Sequence, residues 1–232
     1  MDAQSFDLPR YLAVLPLFSD LSPPELERLA LGCQLRRFGR GDDIFRVGEP
    51  CDGFHVTVTG QVKLYAISPS GHEKVIELVG PGGSFAEALM FTGKSYIVNA
   101  QALTDALLLT VGRNAVVNEI LGDPRFAMRM LAGLSRRLHG MVRDVQDYSL
   151  HSGTQRVIGY LLRCQVAEDC ASSGAITVSL PAGKAVIASR LSLTPEYFSR
   201  VLHELEAAKL IEVNKREIRI PDPLKLSRHG AT

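Results

Sequence analysis

The chain has 232 residues, 46% of them hydrophobic, enough for two modest domains each with its own core. No apolar run reaches the length of a bilayer-spanning helix, and the N-terminus MDAQSFDLPR lacks a basic-then-apolar leader, so a soluble cytoplasmic protein without a membrane partner is expected. Residues 1–110 hold 9 Lys/Arg against 13 Asp/Glu, a net −4, whereas residues 111–232 hold 17 against 12, a net +5, which suits a second half that meets phosphate. Cys33, Cys51, Cys164 and Cys170 show neither CxxC nor zinc-ribbon spacing, so reduced structural thiols and no metal site are expected.

Residues 10–37 read as helical. The apolar patch Leu15-Pro16-Leu17-Phe18 precedes Ser22-Pro23-Pro24-Glu25, which opens a segment with Leu26, Leu29 and Ala30 on one face. From Phe38 the period changes to two. Phe54, Val56 and Val58 alternate with His55 and Thr57, which places His55 on the solvent side, and Gly60 breaks the run. Val62, Leu64 and Ala66 alternate with Lys63 and Tyr65. Ser68-Pro69-Ser70-Gly71 is a turn, and Val75 to Val79 returns as a strand. After Pro81-Gly82-Gly83, a short helix spans Phe85 to Phe91, followed by strands at Ile97 to Ala102 and Ala106 to Val111. Many short strands punctuated by Gly/Pro turns predict a jelly-roll-like β-roll.

The stretch from Asp123 to Leu150 predicts one long helix, with a cap residue followed by proline at the first helical position. Ala127, Leu131, Leu134, Leu138, Met141, Val145 and Tyr148 step along it by 4, 3, 4, 3, 4 and 3. That is a heptad seam, which a helix covers by winding against a partner, so a parallel homodimer is expected through Leu131, Leu134, Leu138, Met141, Val145 and Tyr148. The alternative is a core helix packed within its own domain.

His151-Ser152-Gly153-Thr154 breaks this helix before an amphipathic run from Arg156 to Val166 and a polar loop at 167–175. Ile176 to Leu180 alternates as a short strand. Two helices then flank a tight turn, Gly183 to Leu191 and Pro195 to Ala208, with Thr194 as N-cap of the second. Phe198, Val201, Leu202 and Leu205 are spaced for burial, leaving Glu196, Ser199, Arg200 and His203 on the exposed face. Residues 209–213 and 217–220, joined by Asn214-Lys215-Arg216, form a hairpin, the wing of a winged helix-turn-helix. The organisation is α+β: a β-roll over 1–112, a dimerisation helix over 113–151 and a winged helix-turn-helix over 152–232.

Arginine carries forked donors that match guanine O6 and N7, and glutamate accepts from cytosine N4, so Glu196, Ser199 and Arg200 are the candidate base readers. An ordinary exposed helix with a Glu196–Arg200 pair at i, i+4 is the alternative. Thr194, Lys184, Arg190, Lys215 and Arg216 lie beyond that face and are candidate phosphate contacts.

Gly41-Asp42, the run Ile44 to Pro50, and Gly60-Gln61-Val62-Lys63-Leu64-Tyr65 resemble the sensor β-roll of the Crp–Fnr regulators, the relatives of the cyclic-AMP receptor protein and the fumarate–nitrate reduction regulator. The likeness runs in family order over nearly the whole chain and implies a cyclic-nucleotide-binding-like fold, with double-stranded DNA, RNA polymerase and a second copy of the chain as partners. Cyclic-nucleotide-binding members carry a ribose-binding glutamate after a glycine and a downstream Arg-Ser/Thr pair for the phosphate. Here Glu87 follows Ala86, and Lys94-Ser95 stands where the arginine pair falls. Lysine lacks the planar fork of arginine, and Ala86 adds a methyl, so cyclic AMP is disfavoured. An iron–sulfur cluster needs several thiolates at short spacing, and Cys33 and Cys51 stand alone, so that cofactor is disfavoured too.

Phe85-Ala86-Glu87-Ala88-Leu89-Met90-Phe91, Gly71-His72-Glu73-Lys74, Arg137-Leu138-His139 and Pro195 to Arg200 resemble the branch of dissimilatory nitrate respiration regulators. This implies nitric oxide sensing through haem held in the sensor and control of denitrification genes. Candidate axial ligands are His55, His72 and His139, with Cys33 and Cys51 behind them, and Glu87 and His139 are the effector-pocket candidates. The E-x-x-S-R pattern resembles that of the fumarate–nitrate branch and implies a TTGAT half-site in an inverted repeat. Another small molecule, or redox state sensed through Cys33 or Cys51, is the alternative effector. A jelly roll can also serve a cupin-like metalloenzyme, but that needs an HxH pair with a following carboxylate, which His55-Val56-Thr57 does not supply, so no enzyme is expected.

Overall fold

The computed structural model describes residues 7–15, 18, 21–163 and 174–230, with the side chains of Arg136, Arg137, Arg143 and Tyr148 excepted. Cys164, Cys170, the seam side chain of Tyr148 and most of the predicted polar loop therefore lie outside the described residues. The contacts divide the chain into two units, one of residues 1–66 and 77–141 and the other of residues 67–76 and 142–232.

The first unit opens with helices α1 (Leu8–Ala13) and α2 (Pro23–Leu31). Ser22 starts α2 with a capping box, its backbone N–H and hydroxyl both donating to Glu25 Oε2 at 2.6 Å. The helical reading of residues 10–37 is corrected at its end, because Cys33–Phe38 is strand β1. Its backbone finds an antiparallel partner in the distant Ala106–Gly112, pairing from Cys33↔Val111 to Phe38↔Ala106, and that ladder overrides local propensity.

The roll contains β1, β2 (Asp43–Phe45), β3 (Gly53–Thr59), β4 (Val62–Ile67), β5 (Glu73–Val79), β6 (Ser84–Phe85), helix α3 (Glu87–Thr92), β7 (Asn99–Ala102) and β8 (Ala106–Gly112). Two four-stranded sheets result, in the orders β1-β8-β3-β6 and β2-β7-β4-β5. Strand β3 is buried on both faces. Phe54 turns to Phe18, 6.2 Å away, which itself stacks on Phe126 at 6.0 Å, whereas His55 turns to Phe45 and Phe85 inside the roll. The expectation that His55 faces solvent is thus overturned: it is 5% exposed. Alternation marks a half-exposed strand only when one face meets water, and here a helical layer covers the other face.

Helix α4 (Arg113–Gly122) is separate from the long helix α5 (Pro124–Leu150), with Asp123 extended between them. Buried Glu119 of α4 takes a two-pronged pair from Arg28 of α2, at 3.1 Å for each contact. Helix α5 begins with Phe126 and Met130 buried in the core, while Leu131, Leu138, Met141 and Val145 are 46–62% exposed and Leu134 is half-buried.

In the second unit, α6 (Gly153–Arg163) precedes β9 (Ile176–Ser179), α7 (Lys184–Arg190), α8 (Pro195–Ala207), β10 (Glu212–Asn214), β11 (Glu217–Ile220) and α9 (Pro223–Gly230). The strands form an antiparallel sheet in the order β10-β11-β9. Phe198, Val201, Leu202 and Leu205 of α8 are 0–2% exposed, and Ile187, Ala188, Ile218 and Ile220 are fully buried as well, with α8 packed on α7.

One backbone feature has a stability consequence. Ala86 caps α3 with φ +74, the left-handed region, where an L side chain costs roughly 1–2 kcal/mol. Ala86→Gly is expected to stabilise the roll by about 1 kcal/mol, read as a raised urea midpoint with unchanged m-value. An unchanged or lowered midpoint would show that the methyl packs too well to lose.

Candidate nucleic-acid interface and sensor interior

Helix α8 is set up by its cap. Thr194 Oγ1 accepts from Tyr197 N–H at 3.2 Å and Pro195 occupies the first turn, so the helix N-terminus is pinned while the Thr194 O–H remains a donor. Glu196 and Arg200 are exposed on this helix, with Ser199 half-buried beside them. Arg200 does not pair with Glu196: its Nε lies 3.8 Å from Glu204, and its guanidinium lies over the Tyr197 ring, 4.7 Å from the centroid. The alternative of a Glu196–Arg200 pair is therefore not what the helix adopts.

The wing turns at Lys215 (φ +54) and Arg216, both exposed, with Asn214 paired to Glu217 on either side. Lys184 is half-buried at the first position of α7. Arg190, by contrast, has its guanidinium on Asp144 of α5 at 2.5 Å and is 19% exposed as a side chain, so a phosphate would have to displace a carboxylate there.

The C-terminus of α7 is held by two cations that sequence reasoning missed. Arg156 of α6 donates from Nη1 to the carbonyls of Leu191 and Ser192 at 2.8 and 3.3 Å. Lys74, on the hairpin tip 67–76 that belongs to the same unit, donates to the carbonyls of Ser189 and Arg190 and to Ser192 Oγ, at 2.5, 3.2 and 2.8 Å. Val75 N–H adds a bond to Ser189 Oγ at 2.9 Å. Cations at a helix C-terminus meet the negative end of its dipole. Burial, followed by the charges of Arg190 and Arg156, lowers the Lys74 ammonium to about 8. Gly71-His72-Glu73-Lys74 stands out in the sequence only as a turn; nothing local says what the lysine reaches.

Inside the roll, His55 Nδ1 bonds the Thr110 hydroxyl at 3.0 Å and Nε2 bonds the Tyr96 hydroxyl at 3.1 Å. Phe45 stacks on Tyr96 with centroids 3.6 Å apart. Burial, with a smaller push from Arg36, depresses the imidazole to about 4, so it is neutral near pH 7. Cys51 is buried with Sγ 3.2 Å from Gly53 O, and burial pushes the Cys33 thiol up to about 12. His72 sits in the exposed hairpin turn with Nδ1 on Ser70, and His139 is exposed on α5. Glu87 is buried in the first turn of α3 and Lys94 is exposed. His55 and Cys51, the ligand candidates inside the roll, are both engaged: the histidine has each nitrogen on a hydroxyl, and the cysteine lies against backbone carbonyls. Among the described residues no group of three His, Cys, Asp or Glu could hold a metal ion.

A roll of this topology followed by a long helix and a winged helix-turn-helix defines a DNA-binding transcriptional regulator with an effector-binding domain. The cyclic nucleotide-binding domain model matches residues 35–122, and the Crp-like helix-turn-helix domain model matches residues 155–229. The CRP-like cAMP-activated global transcriptional regulator of Mycobacterium tuberculosis is 24% identical over 94% of this chain and 98% of its own. The global nitrogen regulator of Synechococcus elongatus is 27% identical over 93% and 96%. The crystal structure of DNR from Pseudomonas aeruginosa is 34% identical, covers 94% of this chain and 96% of its own, and has a TM-score of 0.51. The chain belongs to the Crp–Fnr family, whose members are transcriptional regulators and not enzymes. No helix among the described residues is long and apolar enough to cross a membrane.

The neutral buried imidazole has a pH consequence. The unfolded chain protonates His55 near 6.5 and the folded roll near 4, so the unfolded state binds the extra proton between those values. Stability falls as pH drops from about 6.5 towards 4 and levels off below, a loss of up to about 3 kcal/mol from this group. Urea unfolding across that window should show a shallower slope for His55→Phe than for the parent chain. Identical slopes would mean that His55 titrates normally.

Proposed function

We propose that the protein acts as a homodimer on an inverted repeat of TTGAT half-sites, with Arg200 and Glu196 reading a G·C pair and its neighbour, Ser199 touching an adjacent base, and Thr194, Lys184, Lys215 and Arg216 holding phosphates. The observation that carries this is the coincidence of a capped helix, an exposed Glu196 and Arg200 on its N-terminal half, and an exposed Lys215-Arg216 wing tip. Arg190 joins the phosphate contacts only where its pair with Asp144 opens. Pairing of two α5 helices through Leu131, Leu134, Leu138, Met141, Val145 and Tyr148 would set the recognition helices one DNA turn, about 34 Å, apart. RNA polymerase is the onward partner, and the cytoplasm the compartment, of such a regulator.

For the effector, the likeness to DNR supports haem-dependent nitric oxide sensing at denitrification genes as the reading to test. The engaged nitrogens of His55 and the turn position of His72 narrow the sensor's histidine ligands to exposed His139. A thiolate sensor at Cys33 is disfavoured by a thiol pushed up to about 12.

Anaerobic fluorescence anisotropy with a TTGAT/ATCAA duplex, using apo protein, protein with ferrous haem, and protein with haem and nitric oxide, separates these statements. Specific binding only in the last state supports the haem reading, and equal binding in all three removes it while leaving the regulator. In the binding-competent state, Arg200→Ala is expected to lose roughly 1–3 kcal/mol of discrimination at its base pair, whereas Lys215→Ala weakens cognate and scrambled duplexes alike. Equal weakening of both duplexes by Arg200→Ala would remove it as a reader. Leu138→Asp puts a charge in the seam and is expected to shift sedimentation from dimer to monomer at the same concentration; a dimer that survives it would place the interface elsewhere.

A further inference from the structure

Tyr197 lies between the reader and the hinge. Its ring packs on Gly153, the first residue of α6, so tightly that a Cβ added there would come within 2.4 Å of Tyr197 Cε1 and 2.8 Å of Cζ and the hydroxyl oxygen. Gly153 is itself fixed: Ser152 N–H donates to Gln155 Oε1 at 2.7 Å and Gln155 N–H to Ser152 Oγ at 3.2 Å, a reciprocal capping box at the start of α6. The backbone of Tyr197 is held from the other side by the Thr194 cap. The ring thus rests on Gly153 while its backbone is pinned by the cap, and the Arg200 guanidinium lies over the ring, 4.7 Å from the centroid.

From this clamp we infer that Tyr197 is a positioning residue for base reading, a platform that holds Arg200 in its reading orientation and is itself seated by Gly153. A guanidinium stacked on a ring spends only its face; the forked N–H donors lie in its plane and remain free for guanine. Two neighbours compete for Arg200. Glu204, 3.8 Å from Nε, lies one turn towards the C-terminus of α8, away from the end that enters the groove. Tyr197, three residues the other way, holds the side chain towards that end. Without the ring, the arginine has a carboxylate behind it and a full set of rotamers to lose on binding. The hinge glycine is explained by the same contact, since no other residue leaves room for the ring.

The inference rests on Arg200 being a base reader, and the test separates the two. Anisotropy gives the affinity ratio between the TTGAT repeat and a TTAAT repeat for the full-length parent chain, Tyr197→Leu, Tyr197→Phe, Gly153→Ala, Arg200→Ala and the Tyr197→Leu/Arg200→Ala pair. Tyr197→Leu is expected to cut the ratio by about two- to fivefold, the scale of a partly exposed cation–π contact, and Tyr197→Phe to retain it. Gly153→Ala should cut it likewise by displacing the ring, and Tyr197→Leu should add nothing once Arg200 is alanine. If Tyr197→Leu weakens both duplexes equally while Arg200→Ala abolishes the ratio, the ring is merely structural and the platform is wrong. If Arg200→Ala leaves the ratio intact, the reader assignment fails, and the platform with it. Should Gly153→Ala unfold the chain, the contrast between leucine and phenylalanine at 197 still decides.

Discussion

An apolar seam along a 27-residue helix is the constraint that the other features answer to. Helix α5 carries two apolar faces. One, with Phe126 and Met130, is satisfied inside the first unit, where Phe126 stacks on Phe18. The other, with Leu131, Leu138, Met141 and Val145, stays in water within a single chain. Burying such side chains fully stabilises by roughly 1.5–3 kcal/mol each, which is the gain open to the proposed pairing of two such seams. A helix anchored at one end in the core of the first unit and paired along its length would be a stiff element. The end of α5 is tied on to α6, where Asp147 accepts from both His151 at 3.0 Å and Arg163 at 2.6 Å. The proposed pairing of seams therefore sets not only stoichiometry but also where α6, and the reader built on it, begins.

The sensor interior answers a different constraint. The face of β3 turned into the roll carries His55 and Thr57, and Tyr96 adds a phenol, so hydroxyls and an imidazole must be satisfied without water. The imidazole does this by using one nitrogen on each neighbouring hydroxyl, and it gives up its charge to do so. Glu87 and the strained Ala86 stand at the edge of this interior, where a cyclic-nucleotide member places a glycine and a ribose-binding glutamate. The roll has kept the family's backbone path: a left-handed residue still opens α3. The glycine that makes that path inexpensive is gone. The scaffold is shared with the cyclic nucleotide-binding domain.

What was legible in the sequence was local. The heptad, the Asp123-Pro124 start, the Thr194 cap with Pro195, and the buried stripe of Phe198, Val201, Leu202 and Leu205 each follow from residues within a few turns of one another. What was not legible depends on partners far away. Strand β1 reads as helix because Val111, its pairing partner for Cys33, lies beyond the whole roll. His55 reads as solvent-facing because nothing local announces a helical layer behind β3. Arg190 reads as a phosphate contact because Asp144, which takes its charge, sits on another helix. At the reader, the chemistry of Glu196 and Arg200 was visible, but the seating of Tyr197 was not, since it needs a glycine more than forty residues earlier. An arginine three residues after a tyrosine on a helix was the available signal.

The end of α7 is built by such distant contacts. Its last carbonyls are taken by Arg156 from α6 and by Lys74 from the hairpin between β4 and β5, and both cations are partly withdrawn from water. Lys74 donates there at a depressed pKa of about 8, beside two other positive charges, so the contact is made against electrostatic opposition. Such a contact persists because Ser192 and Ser189 supply further hydrogen bonds, to Lys74 and to Val75 N–H. Within the second unit, the hairpin at 67–76 thus holds the end of α7 through Lys74 and Val75. Helix α8 packs on α7 across a four-residue turn, so the bonds that fix the end of α7 also fix where the helix that carries Arg200 begins.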